Sequence, residues 1–287
     1  MLVGLVMVLA IAVSPAHAQD RLNTVASFSI IGDFVRHVGG DRVSVTTLVG
    51  PDGDAHVYTP TPADAKKIAD AKLVVINGLG FEGWLSRLVK SSGKKPTIVT
   101  ATSGIAPRKL GSEADPHAWQ SVANAKIYVT NIRDALAAAD PAGAEAYRAN
   151  AESYLAKLDA LDTEVRAAVA KIPQDRRKVI STHDAFGYLA SAYGIEFVAP
   201  LGVSTESEAS ARDIARIITQ IRSQKIPAVF LENISDSRLI RRISAETGAK
   251  VGGTLYSDSL TGEKGDAPTY IDMVRHNIKA LTGALAN

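Results

Sequence analysis

One pattern constrains this chain more than any other. Short β-branched runs alternate with helical patterns, and the alternation occurs twice, on either side of a long helical stretch. In the first half the runs 25–31 (VASFSII), 43–50 (VSVTTLVG), 73–77 (LVVIN) and 97–101 (TIVTA) are separated by helical patterns near 32–39, 62–71 and 82–90. The second half repeats the arrangement with 178–182 (KVIST), 196–199 (EFVA), 228–232 (AVFLE) and 250–257 (KVGGTLYS), and with helical patterns near 184–193, 208–223, 236–247 and 269–284. Parallel neighbours need a crossover long enough to hold a helix, so strand-helix alternation implies parallel pairing. The expected fold class is α/β: two lobes, each a mainly parallel four-stranded sheet flanked by helices.

Between the halves, Tyr147, Ala151, Tyr154, Leu158, Leu161, Val165, Ala168 and Ile172 recur every three or four residues, the spacing of one apolar stripe on a helix. The pattern opens after Asp140-Pro141 and stops before Pro173. A helix of about 29 residues at roughly 1.5 Å per residue is some 43 Å long, enough to act as a rigid strut across a domain. The expected division is an N-terminal lobe over 19–140, a linking helix over 141–172 and a C-terminal lobe over 173–287. At 287 residues and 46% hydrophobic content the chain can fill both cores.

The first 18 residues, MLVGLVMVLAIAVSPAHA, read as an export leader. Their apolar run is too short to span a bilayer, and Ala16-His17-Ala18 has the small-x-small pattern of a cleavage site. Cleavage is expected after Ala18. The sequence contains no cysteine, which excludes disulfides and thiolate metal sites and predicts export without a lipidated cysteine, hence a periplasmic location. The 32 basic and 30 acidic residues are spread evenly and give a net charge of +2, with no basic block to suggest nucleic acid.

After the run 73–77 comes GLGFEG, with Gly78, Gly80 and Gly83 in the spacing of a dinucleotide-binding turn. That chemistry needs an acidic residue at the end of the next strand to hold the ribose hydroxyls, and TIVTA ends in Thr100 and Ala101. The glycines are read as a tight strand-to-helix turn.

His17 falls in the leader, which leaves five histidines. His37, before Gly39-Gly40, and His276, beside Arg275, are expected at the surface. The other three each follow the C-terminal end of a strand: His56 in GPDGDAHVYTP, His117 in EADPHAWQS, and His183 directly after KVIST. Asp258, directly after GTLYS, joins them. Loops at the carboxyl ends of parallel strands form the ligand crevice of open sheets, so each lobe contributes two candidates. Three imidazoles and a carboxylate suit Zn²⁺, and nitrogen-oxygen sites without thiolate also take Mn²⁺ or Fe²⁺. The gaps of 61, 66 and 75 residues exclude a local zinc finger, so the site forms only where the lobes face each other. Asp54 and Asp115 are read as turn and cap residues, Asp115 with Pro116 opening a helix, and Glu232 as either a support behind a metal ligand or, the favoured reading, structural.

GDAHVYTP, DPHAW, STHDAFGYL and GTLYSDSL, in this order, resemble the cluster A-I solute-binding proteins of bacterial ABC importers for zinc and manganese. The resemblance covers the whole chain after the leader. It implies two α/β lobes joined by one long helix, with a single metal between them held by His56, His117, His183 and Asp258. It also implies a non-enzymatic role: capture of a divalent ion and delivery to an inner-membrane ABC permease, with a periplasmic metallochaperone as a further candidate partner and a monomeric protein. Manganese members commonly carry Glu where this chain has His183, which makes this sequence zinc-like, with manganese or iron the alternative. The His-rich loop of many zinc members is missing, because PADAKKIAD follows His56 almost at once. A zinc hydrolase is the rival of another class, but catalytic zinc keeps three protein ligands and an open position for water. A surface adhesin would leave no fixed motif.

Overall fold

The structure is a computed structural model and describes residues 21–286. The expected leader lies outside them. The first half contains β1 (Leu22–Phe28), α1 (Ser29–Gly39), β2 (Val43–Val49), α2 (Pro62–Asp70), β3 (Leu73–Ile76), α3 (Leu85–Ser91) and β4 (Thr97–Thr100). A two-stranded hairpin of β5 (Lys109–Leu110) and β6 (Glu113–Ala114) leads into α4 (Val122–Ala139) and then α5 (Ala144–Val169). The second half contains β7 (Lys178–Ile180), α6 (Gly187–Tyr193), β8 (Glu196–Val198), α7 (Ala211–Gln224), β9 (Ala228–Glu232), α8 (Arg238–Thr247), β10 (Lys250–Leu255) and α9 (Tyr270–Leu285). No helix among the described residues is long and apolar enough to cross a membrane.

The strand orders are β2-β1-β3-β4 and β10-β9-β7-β8, and every pairing within the two sheets is parallel. The α/β fold with two four-stranded parallel sheets is as the alternation requires. The four candidate ligands lie beyond the carboxyl ends of β2, β4, β7 and β10.

Three expectations need correction. The run 25–31 is not one strand, because β1 ends at Phe28 and α1 begins at Ser29. Ile30, Ile31, Phe34, Val35 and Val38 are all buried and follow helical spacing, so two buried elements abut with no exposed residue between them. The helix α4 is an addition to the expected elements; its buried Val122, Ala125, Tyr128, Val129, Ile132 and Leu136 pack beside α5. The long helix has 26 residues, preceded by a 3-10 turn at Pro141–Gly143 that uses up the first residues after Asp140.

The strut is tied to both sheets. Its buried face, Tyr147, Ala151, Tyr154, Leu158, Leu161 and Val165, belongs to one continuous core that includes Val25 and Phe34 of the first half and Phe230 and Leu255 of the second. A smaller core of Ile180, Ile217, Ile221, Val229, Ile240 and Ile243 lies between the second sheet and α7 and α8. At the junction, Asp33 on α1 accepts the backbone N–H of Tyr270 at the start of α9 (3.0 Å) and the Tyr154 hydroxyl of α5 (3.4 Å). Burial raises the pKa of this carboxyl despite its donors and the neighbouring His37.

The GLGFEG turn is occupied by its own side chain. Gly78 and Gly80 take positive φ, and the Glu82 carboxylate accepts the N–H groups of Asn77 (2.6 Å) and Gly78 (3.0 Å) and the Ser27 hydroxyl (2.7 Å). Two amides at the start of the turn are thus already bonded to a side chain of the same turn. His37 is exposed and stacks on Tyr154, whereas His276 is only partly exposed, with Nε2 3.0 Å from the Thr254 carbonyl and its ring against Tyr256.

Candidate metal centre

Each candidate ligand is fixed by short-range chemistry at the end of its strand. His56 lies in the loop after β2, where Asp54 Oδ1 accepts its backbone N–H (2.9 Å), the Trp84 indole donates to the Ala55 carbonyl (2.8 Å) and Phe81 packs edge-on against its ring. His117 follows the β5-β6 hairpin and precedes a 3-10 turn, Ala118–Gln120, rather than the expected α-helix. Asp115 is therefore more than a cap: its Oδ1 accepts both the backbone N–H of His117 (3.0 Å) and its ring Nδ1 (2.9 Å). Asn77 holds the same loop by donating to the Pro116 carbonyl (2.9 Å).

His183 sits beyond β7. Glu232, at the end of β9, accepts the N–H groups of Thr182 (2.7 Å) and His183 (3.1 Å) on Oε1 and the ring Nδ1 of His183 (2.5 Å) on Oε2. Asp258 follows β10, and its preceding carbonyl, Ser257, accepts the Trp119 indole (2.9 Å) and the Gln120 amide (2.6 Å) from the first half. The turn after His117 thus positions Asp258. The reading of Asp115 as a cap understates it, and of the two readings of Glu232 the contact with His183 Nδ1 favours the less expected one, support of a candidate ligand. A carboxylate on Nδ1 fixes the ring and leaves Nε2 as the metal-facing lone pair.

The four side chains converge. Nε2 of His117 lies 3.3 Å from that of His56 and 3.4 Å from that of His183. Asp258 Oδ2 lies 3.1 Å from His183 Nε2 and 3.2 Å from His56 Nε2, and Oδ1 lies 3.5 Å from His117 Nε2. One ligand atom from each residue falls within 4.8 Å of all the others. His117, His183 and Asp258 are fully buried and His56 is 8% exposed, so the site opens toward solvent on the His56 side.

Several facts make this cluster fit a divalent cation. Asp258 Oδ1 is buried and has no hydrogen-bond partner among the described residues. A buried carboxylate oxygen without a donor is costly, and a cation relieves that cost. Three buried carboxylates, Asp115, Glu232 and Asp258, contact the imidazoles, and one guanidinium, Arg108, pairs with Asp115. Two negative charges are left over, which a divalent ion balances. The titration behaviour has the same origin. Burial opposes charge on His117 and His183, but Asp258 with Asp115, and Glu232 with Asp258, outweigh it and raise both pKa values, that of His183 well above the usual imidazole range. Burial likewise opposes ionisation of Asp258, but His117 and His183 hold its pKa well below the usual carboxylate range.

Fold and family together place the chain among the metal-binding, substrate-binding proteins of ABC importers rather than among enzymes. The chain belongs to the family described as zinc-uptake complex component A, periplasmic, whose model matches residues 24–284. It is 37% identical to the iron-binding protein YfeA of Yersinia pestis over 93% of this chain and 88% of that one. It is 34% identical to the manganese-binding lipoprotein MntA of Halalkalibacterium halodurans, over 98% and 97% of the two chains. Its structure matches the periplasmic zinc-binding protein TroA of Treponema pallidum with a TM-score of 0.88, covering 92% of this chain and 99% of that one at 31% identity. The family's members are substrate-binding proteins that deliver metal to a membrane permease, not enzymes, and the hydrolase reading has no support.

Proposed function

We propose that His56, His117, His183 and Asp258 together bind one divalent metal ion, zinc foremost, and that the protein carries it through the periplasm to the permease of its importer. The observation that carries this reading is the convergence of three Nε2 atoms on the buried carboxylate of Asp258, two facing Oδ2 and one facing Oδ1, the oxygen without a hydrogen-bond partner. Zinc is favoured by ligand type and spacing. A regular tetrahedron with bonds of about 2.0–2.1 Å has edges of about 3.3–3.4 Å. The Nε2 separations of 3.3 and 3.4 Å fit that edge. Manganese or iron is the second reading, and one feature favours it: both Asp258 oxygens face imidazoles, so a bidentate carboxylate can supply the higher coordination number these ions prefer. The relatives named for iron and manganese agree with that alternative.

In this reading the chain works as two lobes, 19–140 and 173–287, held by the helical segment 141–172, and acts as a monomer. The compartment proposed is the periplasm, after export directed by residues 1–18. The Halalkalibacterium relative is named a lipoprotein, and fractionation of the expressed protein separates a free form from an anchored one. A metallochaperone is a further proposed partner. Titration of metal-free protein with Zn²⁺ should saturate at one equivalent, and protein purified from its own periplasm should contain zinc. A metal content dominated by manganese or iron would overturn the zinc assignment, and no saturable binding of any divalent ion would overturn the whole reading.

A further inference from the structure

The β5-β6 hairpin touches the metal centre through one residue that no sequence pattern marks. Arg108, just before β5, directs Nη1 at Asp115 Oδ2 (2.6 Å), while Asp115 Oδ1 holds the ring of His117. The backbone of Arg108 is fixed as well: its carbonyl accepts the N–H of Asp115 (2.9 Å) and its N–H donates to the Tyr188 hydroxyl (2.9 Å), which itself donates to the Asp115 carbonyl (3.1 Å). Tyr188 belongs to α6, on the second half of the chain, a few residues after His183. The guanidinium also lies over the Tyr188 ring, 5.8 Å from its centroid.

Gly187 shows how close this apposition is. A Cβ at Gly187 would lie 1.2 Å from Arg108 Nη1 and 2.3 Å from its Cζ. Gly187 is the first residue of α6 and takes no positive φ, so its backbone does not require glycine. A side chain there would have to displace the guanidinium seated on it.

We propose that Arg108 is a positioning residue that latches the two halves of the centre: seated on Gly187 of α6, it holds Asp115, and through Asp115 it holds His117 in place opposite His183. The latch rests on the metal-carrier reading and adds to it a determinant of how long the ion stays. Carboxylates that orient ligating histidines typically change metal affinity by about 10–100-fold when lost, and Arg108 acts on such a carboxylate while seated against α6 of the other half. The counter-charge role predicts the opposite sign, because removing a cation near the site strengthens attraction for a divalent ion.

Two substitutions separate these roles. Gly187→Ala leaves every charge in place and displaces only the far end of a flexible side chain. Arg108→Gln removes the charge and the seat together. Zn²⁺ release from the loaded full-length protein, chased with excess chelator, should be about 10–100-fold faster than native in both, and the double variant should be no faster than Arg108→Gln alone. Native-like release by Gly187→Ala, slower release by Arg108→Gln, or additive effects in the double variant would each overturn the latch. Arg108→Gln leaves Asp115 buried without its partner; if that variant fails to fold, Gly187→Ala alone decides the matter. Failure of the native protein to hold zinc would instead count against the carrier reading.

Discussion

Glu232 Oε2 lies 2.5 Å from Nδ1 of His183, and the other oxygen of the same carboxylate accepts the backbone N–H groups of Thr182 and His183. One side chain therefore sets both the loop and the ring of a candidate ligand 49 positions away in sequence. Glu232→Gln keeps the shape, removes the charge and places a donor where an acceptor is needed. Zinc affinity should fall by about 10–100-fold by chelator competition, with the stoichiometry still one. Unchanged affinity would show that the backbone alone positions His183.

Much of the centre is legible in the sequence, because parallel sheets send their loops to one end and His56, His117, His183 and Asp258 all follow strands. The positioning residues are less so. Asp115 stands two residues from His117, but a cap and a ring acceptor look the same in sequence. Glu232 meets His183 only because β9 lies beside β7, and the contact of Arg108 with Gly187 has no local signature at all. In the fold, the boundary between β1 and α1 is hidden because Ser27, Phe28, Ser29 and Ile30 are all buried and no polar residue alternates outward. The helix α4 was obscured by β-branched residues in YVTNI, whose helical periodicity emerges only with Val122, Ala125 and Leu136 included.

Metal affinity should depend on pH in a stated direction. His117 and His183 bind protons more tightly than free imidazole does, and a metal must displace those protons. Lowering the pH therefore weakens binding, and the weakening should begin above the ordinary imidazole value of about 6.5. Chelator competition across the neutral range, with proton release measured by calorimetry in two buffers, checks this. Affinity that stays constant down to about pH 6 would contradict it.

Selectivity should turn on His183. With three neutral imidazoles and one carboxylate the nitrogen-rich set follows the Irving–Williams trend and holds Zn²⁺ above Mn²⁺. His183→Glu supplies an oxygen ligand that can bind through both oxygens, so the ratio of zinc to manganese affinity should narrow. His183→Ala should weaken both ions and leave the fold intact. Competition titrations of the three forms test this, and zinc binding by the Ala form as tight as native would remove His183 from the ligand set.

A stability prediction concerns the start of α2, away from the metal. Thr61 and Asp64 form a reciprocal cap, in which Asp64 accepts the Thr61 N–H (2.8 Å) and hydroxyl (2.7 Å) and also the Tyr58 hydroxyl (2.7 Å) and Lys67 ammonium (2.9 Å). Burial opposes ionisation of Asp64, but Lys67, Thr61 and Tyr58 outweigh it and depress its pKa. A depressed carboxyl stabilises the fold above its unfolded value of about 3.9, and that stabilisation fades as pH falls below it. Asp64→Ala should cost about 1–2 kcal/mol in urea unfolding at neutral pH. A loss that persists undiminished in acid would assign the effect to packing instead.

The division of the ligands, two after the strands of each sheet, has a thermodynamic consequence. An ion held by the proposed ligands would tie His56 to Asp258 and so close most of the chain into one loop, as a reversible staple made of coordination bonds. Melting either sheet alone discards half of the ligands and forfeits the binding free energy, so in the loaded protein the two sheets share a single fate. At a hundredfold excess of ion over Kd the staple adds about 2.7 kcal/mol to the cooperative unit. Stripping the metal returns that increment, and a carrier emptied at its permease leaves as the less stable of its two forms.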